Sequence, residues 1–250
     1  MRINLIFFLS KMIKVIYIYW DQKFINAPDI VKKCLISWKL HNPDWKIIEL
    51  DKDNLKEYID IDLLIPELSE KVITKTSYSD IVRLFLLEKY GGCWCDATTF
   101  CNKPLSEWLN RSIKNGFFAF SRSEGKRDNL ILSSWFLYSD KHNYIIKQWR
   151  EKTIDYWNNN IMMHNYFWCH LLFYELYNTD DKFKNLWDYR CEIDTSIPHF
   201  IQGKGMLNKV SEEVKEHIEK RLSPMYKLTY KFDINNYNQY SNLAYLLNRI

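Results

Sequence analysis

The run SDIVRLFLLEKY, from Ser79 to Tyr90, is apolar on most sides of the helix that its spacing predicts. A helix of that kind is largely buried. Gly91-Gly92 suits its C-terminal cap, and Cys93 to Ala97 (CWCDA) reads as a short strand directly after it. The chain must therefore carry a core with this helix packed inside it.

The opening segment says what kind of core. Lys14 to Trp20 (KVIYIYW) reads as a buried first strand. Pro28 sits where a helix would begin. Val31, Cys34, Leu35 and Trp38 then follow at helical spacing, and Lys46 to Leu50 (KIIEL) is a second strand. Strand, helix, strand is the signature of a parallel sheet with a crossover helix, so the fold class is α/β, a mixed but mostly parallel sheet flanked by helices. Further along, 117–120 and 134–138 read as strands, and 144–157 and 166–177 as helices. The stretch 98–104 reads as a loop, 211–221 as a charged and exposed helix, and 224–232 as extended, while signals weaken after Asp180. No repeat or linker divides the 250 residues, so one domain is expected.

Composition excludes some classes. A net charge of +4 with acids and bases mixed throughout argues against a nucleic-acid binder. The six cysteines match no zinc-site spacing and read as buried free thiols of a reducing compartment. The apolar run Ile3–Leu9 is too short to span a bilayer, and no small-residue cleavage site follows it. A cytoplasmic protein is expected, with peripheral contact at the inner face of the membrane left open.

Three charged residues stand out. Asp80 and Arg83 lie one turn apart on the apolar helix. They are either a structural ion pair at the helix start, where an acid favours the dipole, or part of a binding site. Asp96 ends an apolar strand, and in open α/β sheets ligands sit outside the carboxyl ends of strands. Alone it reads equally as a cap for the Thr98-Thr99 turn. Its position is expected to be set by strand packing, which would make the carboxylate dispensable for folding. His170 lies in the apolar stretch FWCHLLF, where a core histidine is the common explanation and a base the alternative. His199 is a weaker candidate. For Trp135 and Tyr166, core packing is the better reading over stacking on sugar.

In order, Ser79-Asp80, Arg83, Tyr90-Gly91-Gly92, Trp94, Asp96, Ala97 and Thr98 resemble the capsular polysaccharide synthesis glycosyltransferases, relatives of the sugar transferases that carry an Asp-x-Asp segment. The early segment PDIVKKCLISWKLHNPDWKIIEL and the later WFLYS, NYFWCHLLF and YKLTYK are similar to family segments too, so the likeness covers most of the chain. The resemblance implies a GT-A-like fold, with a donor-binding part at about 12–140 and an acceptor or closing part at about 141–250. It implies a nucleotide-sugar donor, with UDP the expected base, and a glycan or lipid-linked glycan acceptor. It implies that Asp80 and Arg83 bind the donor sugar. Asp96 would lie at the diphosphate or at a divalent cation, Mn2+ or Mg2+. Thr98 stands where the Asp-x-Asp relatives place the second carboxylate. A leaving diphosphate needs a metal or fixed Lys/Arg charges. Lys227 and Lys231, in the late extended segment, could reach the diphosphate, and for either one taken alone an exposed basic strand is the better reading; Thr98 joins the donor-binding set. A degenerate relative that binds glycan without turnover is the alternative.

Overall fold

The computed structural model describes residues 12–122, 129–233 and 236–250; the apolar run Ile3–Leu9 lies outside them. Along the chain come β1 (Val15–Tyr19), α1 (Asp29–His41), β2 (Lys46–Leu50), α2 (Ile61–Leu64), α3 (Lys75–Tyr90), β3 (Gly92–Cys95) and β4 (Thr99–Cys101). Next are α4 (Leu109–Ser112), β5 (Phe117–Ser121), β6 (Leu132–Ser139), α5 (Tyr144–Asn159), α6 (Trp168–Thr179) and α7 (Asp181–Asp188). The last are α8 (Phe200–Gly203), α9 (Glu212–Glu219), β7 (Met225–Lys227) and α10 (Asn242–Leu247).

Five strands form the central sheet in the order β2-β1-β3-β6-β5. β1 pairs in parallel with both β2 and β3, while β6 runs antiparallel to its neighbours β3 and β5. Only β6 is reversed, so the sheet is mixed and mostly parallel. Side-chain alternation divides the core into two clusters, one on each face. Ile16, Ile18, Cys93 and Cys95 join α1 on one side. Tyr17, Tyr19 and Trp94 join α3, α5 and α6 on the other.

α3 is buried nearly all round from Asp80 to Leu87. It starts at Lys75, where the Thr74 side chain accepts from the Ser77 N–H. Asp80 is therefore in the second turn, beyond the reach of the N-terminal dipole. Gly91 ends the helix at φ 69°, and a Cβ there would come within 2.7 Å of the Lys141 nitrogen. Gly92, at φ 98°, brings the chain against the Val15 carbonyl, where a Cβ would approach to 2.7 Å. Only glycine fits two such positions. They turn α3 directly into β3, at the centre of the sheet.

Three elements differ from the sequence reading. Within 98–104, Thr99–Cys101 is a strand, β4, paired antiparallel with β7 in a second small sheet. Three residues are too few to show a period, and their strand form comes from tertiary contacts. The Trp38 indole donates to the Thr99 carbonyl at 2.8 Å, and the Cys101 N–H donates to Ser37 Oγ at 2.8 Å. After Asp180 the chain is helical: Asp180 caps α7, and Phe183 and Trp187, one turn apart, are buried. α9 is anchored by buried Val214 and Ile218 rather than fully exposed.

Candidate functional site

β1 has β2 on one side and β3 on the other. The chain runs from β1 to β2 on one side and then crosses back to β3 on the other, and in α/β sheets ligands bind at the strands' carboxyl ends where the order reverses in this way. A cavity of about 880 Å3 lies there, lined by Tyr19, Trp20 and Asp21 after β1 and by Trp94, Asp96 and Thr98 around the end of β3. Residues around β7 close the far side, with Lys227, Tyr230 and Lys231 in its wall. That volume suits a ligand of nucleotide-sugar size.

Asp96 is the centre of a charge network. Its backbone is fixed by a 2.8 Å bond from its N–H to the Trp135 carbonyl of β6. Oδ1 accepts from Arg83 Nη2 at 3.2 Å and from the Trp94 indole at 3.0 Å. Oδ2 accepts from the Lys227 ammonium at 2.8 Å, which also donates to Thr98 Oγ1 at 2.9 Å. Arg83 reaches further back. Nη1 pairs with Asp80 at 2.9 Å and donates to the Ser134 carbonyl at 2.9 Å, and Nε donates to the Ser79 carbonyl at 3.2 Å. The guanidinium also faces the Trp94 ring, 5.2 Å from its centroid.

The sequence-selected residues thus fall into two layers. Asp96, Thr98, Lys227 and Lys231 line the cavity. Asp80 and Arg83, with side chains 8% and 3% exposed, lie behind Asp96 and are not in the cavity wall. His170 stands apart from that wall, its Nδ1 buried without a partner among the described residues. Burial, with Arg83 and Arg122 nearby, lowers its pKa to about 3. An imidazole so weakly basic is a poor proton acceptor at neutral pH. Half-buried His199 is tied to the Thr195 carbonyl at 2.7 Å. Tyr166 departs from the core reading: it precedes α6, is 64% exposed and lines the cavity. Trp135 is buried and stacks on Phe120 at 5.0 Å.

Several cavity residues were not singled out in the sequence. Asp21 accepts from the Tyr19 hydroxyl at 2.8 Å and pairs with Lys75 at 2.7 Å. The strand-end rule that selected Asp96 applies equally to Asp21 after β1, and could have found it. Trp20 meets Tyr230 edge-on at 5.2 Å. No local signal links two aromatics so far apart in the chain.

The two acids are tuned oppositely. Burial pushes Asp80 up to about 6, against the pull of Arg83. Burial acts the same way on Asp96, but Lys227 and Arg83 outweigh it and hold the carboxyl down at about 2. Asp96 therefore contributes stability above its ordinary 3.8 that is lost as pH falls through about 2. Asp80 contributes stability below 3.8 that is lost as pH rises through about 6. In urea unfolding, Asp80→Asn is expected to gain on the wild type between pH 4 and pH 7. Parallel profiles over that window would show that Asp80 titrates normally.

A divalent cation does not fit this donor set. Two carboxylates line the cavity, Asp21 and Asp96; Asp21 is held by the Tyr19 hydroxyl and Lys75, and both oxygens of Asp96 accept from Arg83, Trp94 or Lys227. An ammonium, not a second acid, stands beside Asp96. Among the described residues no cluster of three His, Cys, Asp or Glu could hold a metal. All six cysteines are free thiols, five of them buried. No described helix is long and apolar enough to cross a membrane.

The sheet order and the strand-end cavity define an α/β protein of the kind that binds ligands at a switch point. The chain belongs to the family of capsular polysaccharide synthesis proteins, matched over residues 8–246. It is similar to O-glycosyltransferase braB of Annulohypoxylon truncatum, at 25% identity over 55% of this chain and 36% of that protein. It is also similar to O-glycosyltransferase PaGT of Phomopsis amygdali, at 22% identity over 58% of this chain and 39% of that one. The chain thus spans well under half the length of these relatives. The apo form of glycosyltransferase GlyE from Streptococcus pneumoniae TIGR4 shares the fold, with a TM-score of 0.53 and 12% identity over 96% of this chain and 60% of that one.

Proposed function

We propose that this chain transfers a sugar from a nucleotide-sugar donor to a hydroxyl of a glycan or lipid-linked glycan. The observation that carries the reading is the pairing of Asp96 and Lys227 in the wall of a nucleotide-sugar-sized cavity, in a chain of this family. In the reaction, the bond from the anomeric carbon to the β-phosphate oxygen breaks and its electron pair stays on that oxygen. The acceptor oxygen bonds the anomeric carbon, and its proton passes to water. The donor-binding part is 12–140, the acceptor or closing part is 141–250, and UDP is the favoured base. Capsular or surface polysaccharide is the favoured product, which would place the protein in the cytoplasm at the inner face of the membrane.

In this reading Asp96 and Thr98 hold Lys227 towards the diphosphate, and Lys231 adds charge at the rim. Arg83, backed by Asp80, holds Asp96 in place from behind. Exposed Tyr166 offers a ring face on which a sugar can stack.

Thermal-shift screening with UDP-, GDP- and CMP-sugars, followed by assay of released nucleotide, tests this. A ligand that binds only the folded state raises Tm by linkage. At least one sugar nucleotide is expected to raise it and to be turned over with acceptor present. A shift from glycans alone, with no nucleotide released, would favour the second reading, a glycan-binding relative without turnover. Thr98 in place of a carboxylate motivates that alternative.

A further inference from the structure

A cation held through one carboxylate needs a free oxygen on it and no competing charge beside it. At Asp96, Arg83 and Trp94 fill Oδ1, and the Lys227 ammonium is the competing charge on Oδ2. We infer that Lys227 is the resident cation of this site, standing where a divalent ion would stand, so that the donor diphosphate is bound and released without metal. The inference rests on the transferase reading.

The position of Lys227 is built into the backbone. β7 pairs with β4 in a register that sets Lys227 opposite Thr99. The Leu228 N–H donates to the Thr98 carbonyl at 2.9 Å, and the Lys227 N–H to the Pro198 carbonyl at 2.9 Å. The stem is therefore anchored at the strand end, and the side chain is only 16% exposed. An ammonium carries three donors. Asp96 and Thr98 take two among the described residues, and the third is left for a ligand in the cavity that Lys227 lines.

Thr98 has a positive part in this arrangement. A second carboxylate there would make a pair suited to a hard divalent ion. The neutral hydroxyl accepts from the ammonium and adds no negative charge beyond that of Asp96. The network then holds Arg83 and Lys227 against Asp80 and Asp96, balanced before the donor arrives. A divalent ion on Oδ2 would sit within a few ångströms of the ammonium, where the two positive charges repel. A lysine is also a common point-charge partner for phosphate. As the anomeric bond breaks, the third N–H of Lys227 meets the charge that develops on the β-phosphate oxygen.

Calorimetric titration of the full chain with UDP and GDP, in EDTA and in Mn2+, tests the inference. At least one diphosphate is expected to bind with the same Kd within about 2-fold in both. Lys227→Ala is expected to weaken that binding about 10-fold or more, the usual worth of a charge-assisted hydrogen bond, and to leave binding of the parent nucleoside unchanged. Lys227→Asp, which exchanges the ammonium beside Asp96 for a carboxylate, is expected to bind the diphosphate at least about 10-fold better in Mn2+ than in EDTA. Wild-type binding that needs Mn2+ would overturn the inference and leave the transferase standing. No binding of either diphosphate in either buffer would overturn the inference, while the sugar-nucleotide screen decides the transferase reading separately. Should Lys227→Ala fail to fold, the wild-type comparison in EDTA and Mn2+ decides alone.

Discussion

Asp96→Asn is expected to lower sugar transfer by about 10²–10³, the loss seen when one preorganised electrostatic group is removed from a reacting centre. Asparagine keeps the size and one acceptor oxygen. If that oxygen stays on Arg83 and Trp94, the amide NH2 faces the Lys227 ammonium, donor against donor. If the amide flips, the NH2 faces Arg83 instead. Either way one cation loses its partner, and in the first orientation it is Lys227, the residue proposed to meet the diphosphate. Stability should fall as well, because both ion pairs of a carboxyl held near pKa 2 are lost. A cost of about 1–2 kcal/mol corresponds to a Tm lower by roughly 2–8 °C in a chain of this size. The assay is nucleotide release, run well below the melting point of the variant. Wild-type turnover in the variant would remove Asp96 from the mechanism.

That modest loss of Tm is where the structure and the sequence reading part. Read from the sequence, apolar neighbours alone hold Asp96, which makes its carboxylate dispensable for folding. In the structure it ties β3 to α3 and to β7. The tie was invisible locally because Lys227 is 131 positions away and Ser134 is 51 positions from Arg83. The β–α–β opening, the buried helix and the strand at Asp96 were legible because their periods and their Gly-Gly turn are written in consecutive residues. β4 and β7 were not, since three-residue strands owe their form to their partners. The family likeness of YKLTYK, rather than any pattern in it, brought Lys227 to the site in advance. Tyr166 shows the converse limit. The expected helix 166–177 makes Tyr166 its first residue and reads as core, whereas α6 starts at Trp168 and leaves Tyr166 ahead of it at the cavity.

Arg83→Met is expected to be the most destabilising single change in the network, at about 3–5 kcal/mol, the usual result of removing one partner from a buried ion pair. The methionine fills part of the space but leaves Asp80, 8% exposed, without its cation. It also strips the Ser134 carbonyl and Asp96 of a donor. The signature lies in the pH dependence. Burial already raises Asp80 to about 6, and Arg83 is the main influence pulling it down. Without Arg83 the folded pKa rises further, so the variant stays folded by protonating Asp80. A raised folded pKa gives stability that is present at low pH and lost as pH rises through it. Arg83→Met should therefore lie closest to wild type near pH 5 and fall furthest behind near pH 8. Adding Asp80→Leu removes the stranded charge and should recover much of the loss at pH 8, a coupling that a double-mutant cycle reads directly. Urea midpoints of the two single variants and the double variant at pH 5 and pH 8 decide it. An equal deficit at both pH values would mean that lost packing around Arg83, and not the buried Asp80 charge, accounts for the instability.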